Sequence, residues 1–151
     1  MSHRRGFTLI ETLLAVVIVS ILVLIGYPKV SRAMAQTDVR SARTALANMF
    51  AKARAAATQG SRKTALMFDG NQVLVTAKPR LVSDGVSAID TVGTVMNLNA
   101  LYGVTVTPGV DSVAFDPRGL GSNFGTTTTF SVARGGHTDS VTIDGLGRVI
   151  R

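Results

Sequence analysis

Few side chains in this sequence are equipped for covalent or acid–base chemistry, and one of them stands where a charge is costly. Glu11 is the only formal charge between Phe7 and Tyr27, in a run that is otherwise almost wholly apolar. An acidic group in a membrane-spanning helix costs up to ~2.5–3.5 kcal/mol at mid-bilayer and less near the interface, so such groups normally have a partner. A cut between Gly6 and Phe7 would create one, because the new amine lies about one helical turn from Glu11. The remaining candidates carry less. His3 and His137 are the only histidines and there is no cysteine, which excludes disulfides, thiolate ligands and a thiol nucleophile. His137 follows Gly135-Gly136 and reads as a loop residue. Ser131 or Ser140 with His137 and Asp139 spells a Ser-His-Asp set on paper, but nothing sets a nucleophile on a tight elbow or supplies oxyanion donors. Asp111, Asp116, Asp139 and Asp144 fall in or beside turns without the spacing of a calcium loop, and aspartate favours turns for local hydrogen bonding. Gly119-Leu120-Gly121 is not followed by a helix and is no dinucleotide fingerprint. The chain therefore reads as a non-enzyme with no cofactor and no metal.

The element that must carry Glu11 is a helix. At 1.5 Å per residue, Phe7–Tyr27 spans about 30 Å, the thickness of a bilayer's hydrocarbon core. The run is too long for a cleaved secretory signal, and Gly26-Tyr27-Pro28-Lys29-Val30 after it offers no small-residue cleavage site. The same objection meets a twin-arginine signal built on Arg4-Arg5. That basic pair keeps the N-terminus cytoplasmic by the positive-inside rule. Pro28 removes one helix hydrogen bond and predicts a kink, loosened further by Gly26.

Beyond Pro28 the apolar positions Val39, Ala42, Leu46, Met49, Phe50, Ala53 and Ala57 alternate by three and four, as one buried helical stripe requires. Gly60 marks the stop. The net charge of +7 belongs to this region: residues 29–63 hold Lys29, Arg32, Arg40, Arg43, Lys52, Arg54, Arg62 and Lys63 against Asp38 alone. Such a face is ordinarily solvated or membrane-proximal; ion pairs to neighbouring subunits, acidic lipid or nucleic acid are the sharper readings. From Thr64 the period becomes two. Thr64–Phe68 and Gln72–Ala77 flank the hairpin turn Asp69-Gly70-Asn71. Lys78 to Leu101 reads as irregular, with one strand around Val92–Met96. Further strands are expected at Val104–Thr107, Ser112–Phe115, Thr126–Ala133, Ser140–Ile143 and Arg148–Ile150, with a glycine-rich loop from Gly119 to Gly125. No internal repeat is visible. The expected fold is α+β: a long N-terminal helix, membrane-spanning in its first half and kinked near Pro28, packed on a C-terminal antiparallel β-sheet domain. The corresponding divisions are a leader at 1–6, a span at 7–28, an amphipathic half-helix at 29–60 and a β-rich head at 61–151.

Gly6-Phe7-Thr8-Leu9-Ile10-Glu11, behind a short basic leader and ahead of an apolar helix, closely resembles the type IV prepilin signature. The resemblance implies cleavage between Gly6 and Phe7 by a prepilin peptidase, N-methylation of Phe7, and pairing of Glu11 with the Phe7 amine of an adjacent subunit during assembly. Pro28 resembles the kink-forming proline of many pilins. The Ala-rich helix, Phe115-Asp116-Pro117-Arg118-Gly119 and the ending Asp144-Gly145-Leu146-Gly147-Arg148-Val149 resemble the GspH/FimT group of minor pilins and pseudopilins. Its partners would be other pilin or pseudopilin subunits, the peptidase, an inner-membrane assembly platform and the lipid bilayer. Its place would be the inner membrane, single-pass, with the head periplasmic, and then a type IV pilus or type II secretion pseudopilus. The paired C-terminal cysteines common in type IVa major pilins are missing. Some members of the FimT-like group bind DNA through a C-terminal G-R-x-R pattern. Here Gly147-Arg148-Val149-Ile150-Arg151 places the second arginine one residue later, so in a regular strand Arg148 and Arg151 face opposite ways. Arg118 and Arg134 are the other candidate DNA contacts, although residues 64–151 hold more aspartates than basic groups.

Overall fold

A computed structural model describes residues 7–78, 89–121 and 126–150. Gly6, Arg151 and the leader lie outside the described residues, as do parts of the expected irregular region and glycine-rich loop. Helix α1 runs Leu9–Gly60, close to the expected limits. Its sequence is rich in alanine and leucine, which lose little freedom in a helix. Pro28 lies inside α1 without ending it, leaving one carbonyl of the preceding turn without its helix donor. The C-terminus is closed by paired bonds from Arg62 N to the Ala57 carbonyl at 3.3 Å and from Ser61 N to the Thr58 carbonyl at 3.4 Å. Ser61, at φ 48°, takes the left-handed position, and Gly60 is the last helical residue rather than the cap.

The chain divides into two compact units, 1–35 and 36–151. The first is the apolar part of α1, whose large side chains from Leu9 to Ile25 are all exposed. The second combines the rest of α1 with two antiparallel sheets. In one sheet β1 (Thr64–Asp69) lies between β2 (Gln72–Ala77) and β6 (Ser112–Phe115), and β3 (Asp90–Thr91) and β4 (Met96–Asn97) add to β2. In the other, β5 (Thr105–Thr107), β7 (Thr128–Arg134), β8 (His137–Ile143) and β9 (Val149–Ile150) follow in that order.

Every residue of the expected helical stripe is buried: Val39, Ala42, Leu46, Met49, Phe50, Ala53 and Ala57. They meet Leu66, Val73 and Val75 from the first sheet and Val132, Val141 and Ile143 from the second. One aromatic from each layer marks the centre. Phe130 of β7 lies 4.8 Å from Phe68 of β1, stacked, and 5.1 Å from Phe50 of α1. The hairpin turn also joins layers, since the Asn71 side chain accepts from Val106 N at 2.9 Å and its carbonyl accepts from Leu98 N at 3.0 Å.

Three expectations need correction. The strand placed at Val92–Met96 is split into β3 and β4, with Gly93 at φ 85° between them. A short helix, α2 (Leu98–Tyr102), follows; Asn97 caps it by accepting from Ala100 N, and Gly103 at φ 62° ends it. His137 is the first residue of β8, paired with Arg134, because the two-residue turn is complete at Gly135-Gly136. Truncating Phe130 removes the ring shared by all three layers. Phe130→Ala is expected to cost about 3–5 kcal/mol, measured as a lowered urea midpoint of unit 36–151.

Candidate functional site

The N-terminal candidates sit at the start of α1. Phe7 precedes the helix and is 81% exposed. Thr8 is the residue before the first helical turn, and its hydroxyl accepts from Glu11 N at 3.3 Å. The Thr8 carbonyl accepts from Glu11 N at 3.1 Å and Thr12 N at 3.2 Å. Thr8-Leu9-Ile10-Glu11 is therefore a T-x-x-E capping arrangement, a local signal that the spacing to Phe7 had obscured. Glu11 lies in the first turn, where the unsatisfied N–H groups favour a negative charge. Its carboxylate has no hydrogen-bond or ion-pair partner among the described residues. Pro28 is in the same unit, well down the helix.

Among the described residues the arginine candidates of the head, Arg118, Arg134 and Arg148, are each paired with a carboxylate. Arg118 Nη2 lies 3.0 Å from Asp116 Oδ2, Arg148 Nε donates to Asp144 Oδ2 at 2.8 Å, and Arg134 Nη1 is bonded to Asp38 and to the Tyr102 carbonyl. Arg148 precedes β9 and is held in the loop before it, so strand alternation does not fix its direction. Arg148 and Arg54 of α1 line one cleft of about 500 Å³, floored by Phe50, Ala51 and Ala55. The paper triad is dispersed: Ser140 and Asp139 are neighbours on β8 and face opposite ways, with Asp139 drawn to Arg43 at 3.2 Å. Among the described residues no three His, Asp or Glu side chains come together in a metal-ligating group.

Two loops that share little sequence prove to share one geometry. In Asp116-Pro117-Arg118-Gly119-Leu120, Asp116 Oδ1 accepts from the backbone N–H of Arg118 and Leu120, each at 2.9 Å. In Asp144-Gly145-Leu146-Gly147-Arg148, Asp144 Oδ1 accepts from Leu146 N at 3.1 Å and Arg148 N at 2.7 Å. Each is closed by a bond from the first residue's N–H to the fifth carbonyl and another from the fourth, a glycine, to the first carbonyl. Those glycines, Gly119 and Gly147, have φ 77° and 76°. The common signal is D-x-x-G, hidden because the arginine stands third in one loop and fifth in the other. The loops join the ends of the two sheets, with Gly121 N donating to the Leu146 carbonyl at 3.1 Å. A Cβ on Gly147 would come within 2.7 Å of the Phe115 ring.

The carboxyl groups of these loops are held below their ordinary value. For Asp116 the main cause is the Leu120 N–H, with Arg118 adding hydrogen bonds and charge against partial desolvation. For Asp144 it is the Arg148 N–H, again opposed by desolvation and helped by the Arg148 side chain and Leu146.

Residues 1–27 match the prokaryotic N-terminal methylation motif. Comparison with curated protein sequences finds no match. Two crystal structures of the Pseudomonas aeruginosa (strain PAO1) type IV minor pilin FimU are similar in fold. The one in space group P21 gives a TM-score of 0.57 at 18% identity, covering 76% of this chain and 87% of that one. The one in P65 gives 0.54 at 19%, covering 74% and 90%. The chain is thus type IV prepilin-like at its N-terminus and pilin-like in its fold, and neither likeness is to an enzyme.

Two outcomes follow from the loop pair. Gly147→Ala and Gly136→Ala both place a side chain at positive φ, but only Gly147 is crowded. Gly147→Ala should destabilise by about 1–3 kcal/mol more than Gly136→Ala, compared by denaturant unfolding. A depressed folded-state pKa contributes stability in full above the unfolded value, and that stability is lost as pH falls through the folded value. Asp144→Asn should therefore lie below the unsubstituted protein at neutral pH and converge with it in acid, followed by urea midpoints across pH.

Proposed function

We propose that this chain is a minor pilin or pseudopilin of a type IV filament system, cleaved between Gly6 and Phe7, methylated at Phe7 and assembled through α1. The supporting observation is the methylation motif over residues 1–27 on a helix whose large apolar residues from Leu9 to Ile25 are exposed. That surface, long and apolar enough to cross a membrane, needs lipid before assembly and neighbouring helices after it. Gly6 suits the cut because it has no side chain to block approach to the backbone. The new Phe7 amine supplies the counter-charge that the Glu11 carboxylate lacks, most usefully on an adjacent subunit, where it sets register. Partners on this reading are other pilin-like subunits, a prepilin peptidase and an inner-membrane assembly platform, with the head on the extracytoplasmic side. The fold likeness to a type IV minor pilin favours a filament role of the same kind. The other reading, DNA uptake through the head, draws less support, because Arg118, Arg134 and Arg148 are each neutralised within the chain.

Gly6→Ala is expected to leave the precursor uncut, so its mass in membranes should equal that of the full chain; a shortened product would refute the site. Glu11→Ala is expected to be cut normally but lost from sheared filament fractions, and undiminished incorporation would refute its role.

A further inference from the structure

Beyond the apolar run, α1 turns abruptly two-sided. Tyr27, Val30 and Met34 recur at i, i+3 and i+7, and all are exposed, Tyr27 at 75%. Lys29 and Arg32, three residues apart, share the other side and are also exposed. After Glu11 the next acidic residue in the sequence is Asp38, and Asp38 is taken by Arg134. Lys29 and Arg32 thus have no carboxylate within a helical turn, and no ion pair among the described residues. In unit 36–151, by comparison, Arg43, Arg62, Arg118, Arg134 and Arg148 each have a carboxylate partner, while Arg40, Lys52, Arg54, Lys63 and Lys78 have none among the described residues. What distinguishes Lys29 and Arg32 is their place just past the apolar run.

We propose that the turn Tyr27–Arg32 binds anionic phospholipid headgroups at the C-terminal end of the apolar span. The proposal rests on reading Phe7–Tyr27 as that span, and adds the lipid class it prefers. Position supports it. At 1.5 Å per residue Lys29 and Arg32 lie about 3 and 7.5 Å beyond Tyr27. A headgroup layer is about 5–8 Å deep on each side of the hydrocarbon core, so both cations fall at phosphate level if the apolar run fills the core. Tyr27 occupies the boundary where an amphipathic ring is favoured. Sign supports it too, since cations beside a span are attracted to anionic lipid headgroups within about a Debye length. Removal of residues 1–6 would take Arg4 and Arg5 with it. Lys29 and Arg32 would then be the nearest side-chain cations to the span.

The sequence has no tryptophan, so Tyr27→Trp in the full chain places a single tryptophan at this boundary, excited selectively over the remaining Tyr102, while keeping its interfacial character. The protein is reconstituted in phosphatidylcholine vesicles, and in vesicles of equal phosphatidylcholine and phosphatidylglycerol, with a dansyl acceptor on one lipid or the other. The expected result is blue-shifted emission in both vesicles, with energy transfer several-fold stronger to dansyl-phosphatidylglycerol than to dansyl-phosphatidylcholine. That preference should disappear in the Lys29→Gln/Arg32→Gln variant and weaken in high salt. Equal transfer to the two lipids despite blue-shifted emission overturns the lipid preference alone, as does a preference unchanged in the double variant. Emission unshifted in both vesicles overturns the span and the preference together.

Discussion

A single constraint governs this molecule: the apolar surface of one helix must be removed from water, and only part of it is covered by the chain itself. In unit 36–151 the stripe from Val39 to Ala57 is buried against two sheets, with Phe50, Phe68 and Phe130 in mutual contact. At roughly 1.5–3 kcal/mol for each large apolar side chain taken from water, that contact is the main source of the head's stability. In unit 1–35 the same helix carries Leu, Ile and Val residues on all sides with nothing over them. A helix apolar all round belongs in a membrane or among other helices. The first half of α1 is therefore where the proposed assembly role is physically required.

Within that half Glu11 has two complementary explanations. The Thr8 cap and the first-turn position make a carboxylate locally acceptable at the start of α1. They do not bond its oxygens. An amine at Phe7, created by cleavage, would do so, and an adjacent subunit's amine would couple that bond to register. The head solves its charge problem differently, by pairing arginines with aspartates inside tight loops. Asp116 and Asp144 each satisfy backbone N–H groups and an arginine at once. The two loops then meet through Gly121 and Leu146, tying sheets that share no strand.

How much could be read in advance depended on the range of the interaction. The helical stripe was legible residue by residue because its period is set by local geometry, and the hairpin at Asp69-Gly70-Asn71 by its turn chemistry. Two sheets in place of one could not be foreseen, since the pairing of β5 with β7 rather than with β6 is a long-range choice. Helix α2 was too short to show a period, and only its cap residues Asn97 and Gly103 mark it. The loop repeat was hidden because backbone geometry, not side-chain order, is what the two loops share. The strand start at His137 was masked by a glycine pair that suggested a longer loop. For the candidate site, the Gly6–Phe7–Glu11 spacing was plain in the sequence, while the occupancy of Arg118, Arg134 and Arg148 was not. Of these three, only the pair of Arg134 with Asp38 joins residues far apart in the chain; Arg118 and Arg148 pair within their own loops, whose backbone geometry was the hidden part.

Whether Phe7 becomes the N-terminus decides the proposed role, because that event would give Glu11 its counter-charge and would make the apolar helix an assembly element. The most direct measurement is the mass of the N-terminal peptide of the unsubstituted protein, recovered from membranes and sheared filaments of its own cells. The account predicts a peptide beginning at Phe7 and heavier than the bare sequence by one methyl group. A chain still beginning at or near Met1, or one cut on the far side of the apolar run, would contradict it.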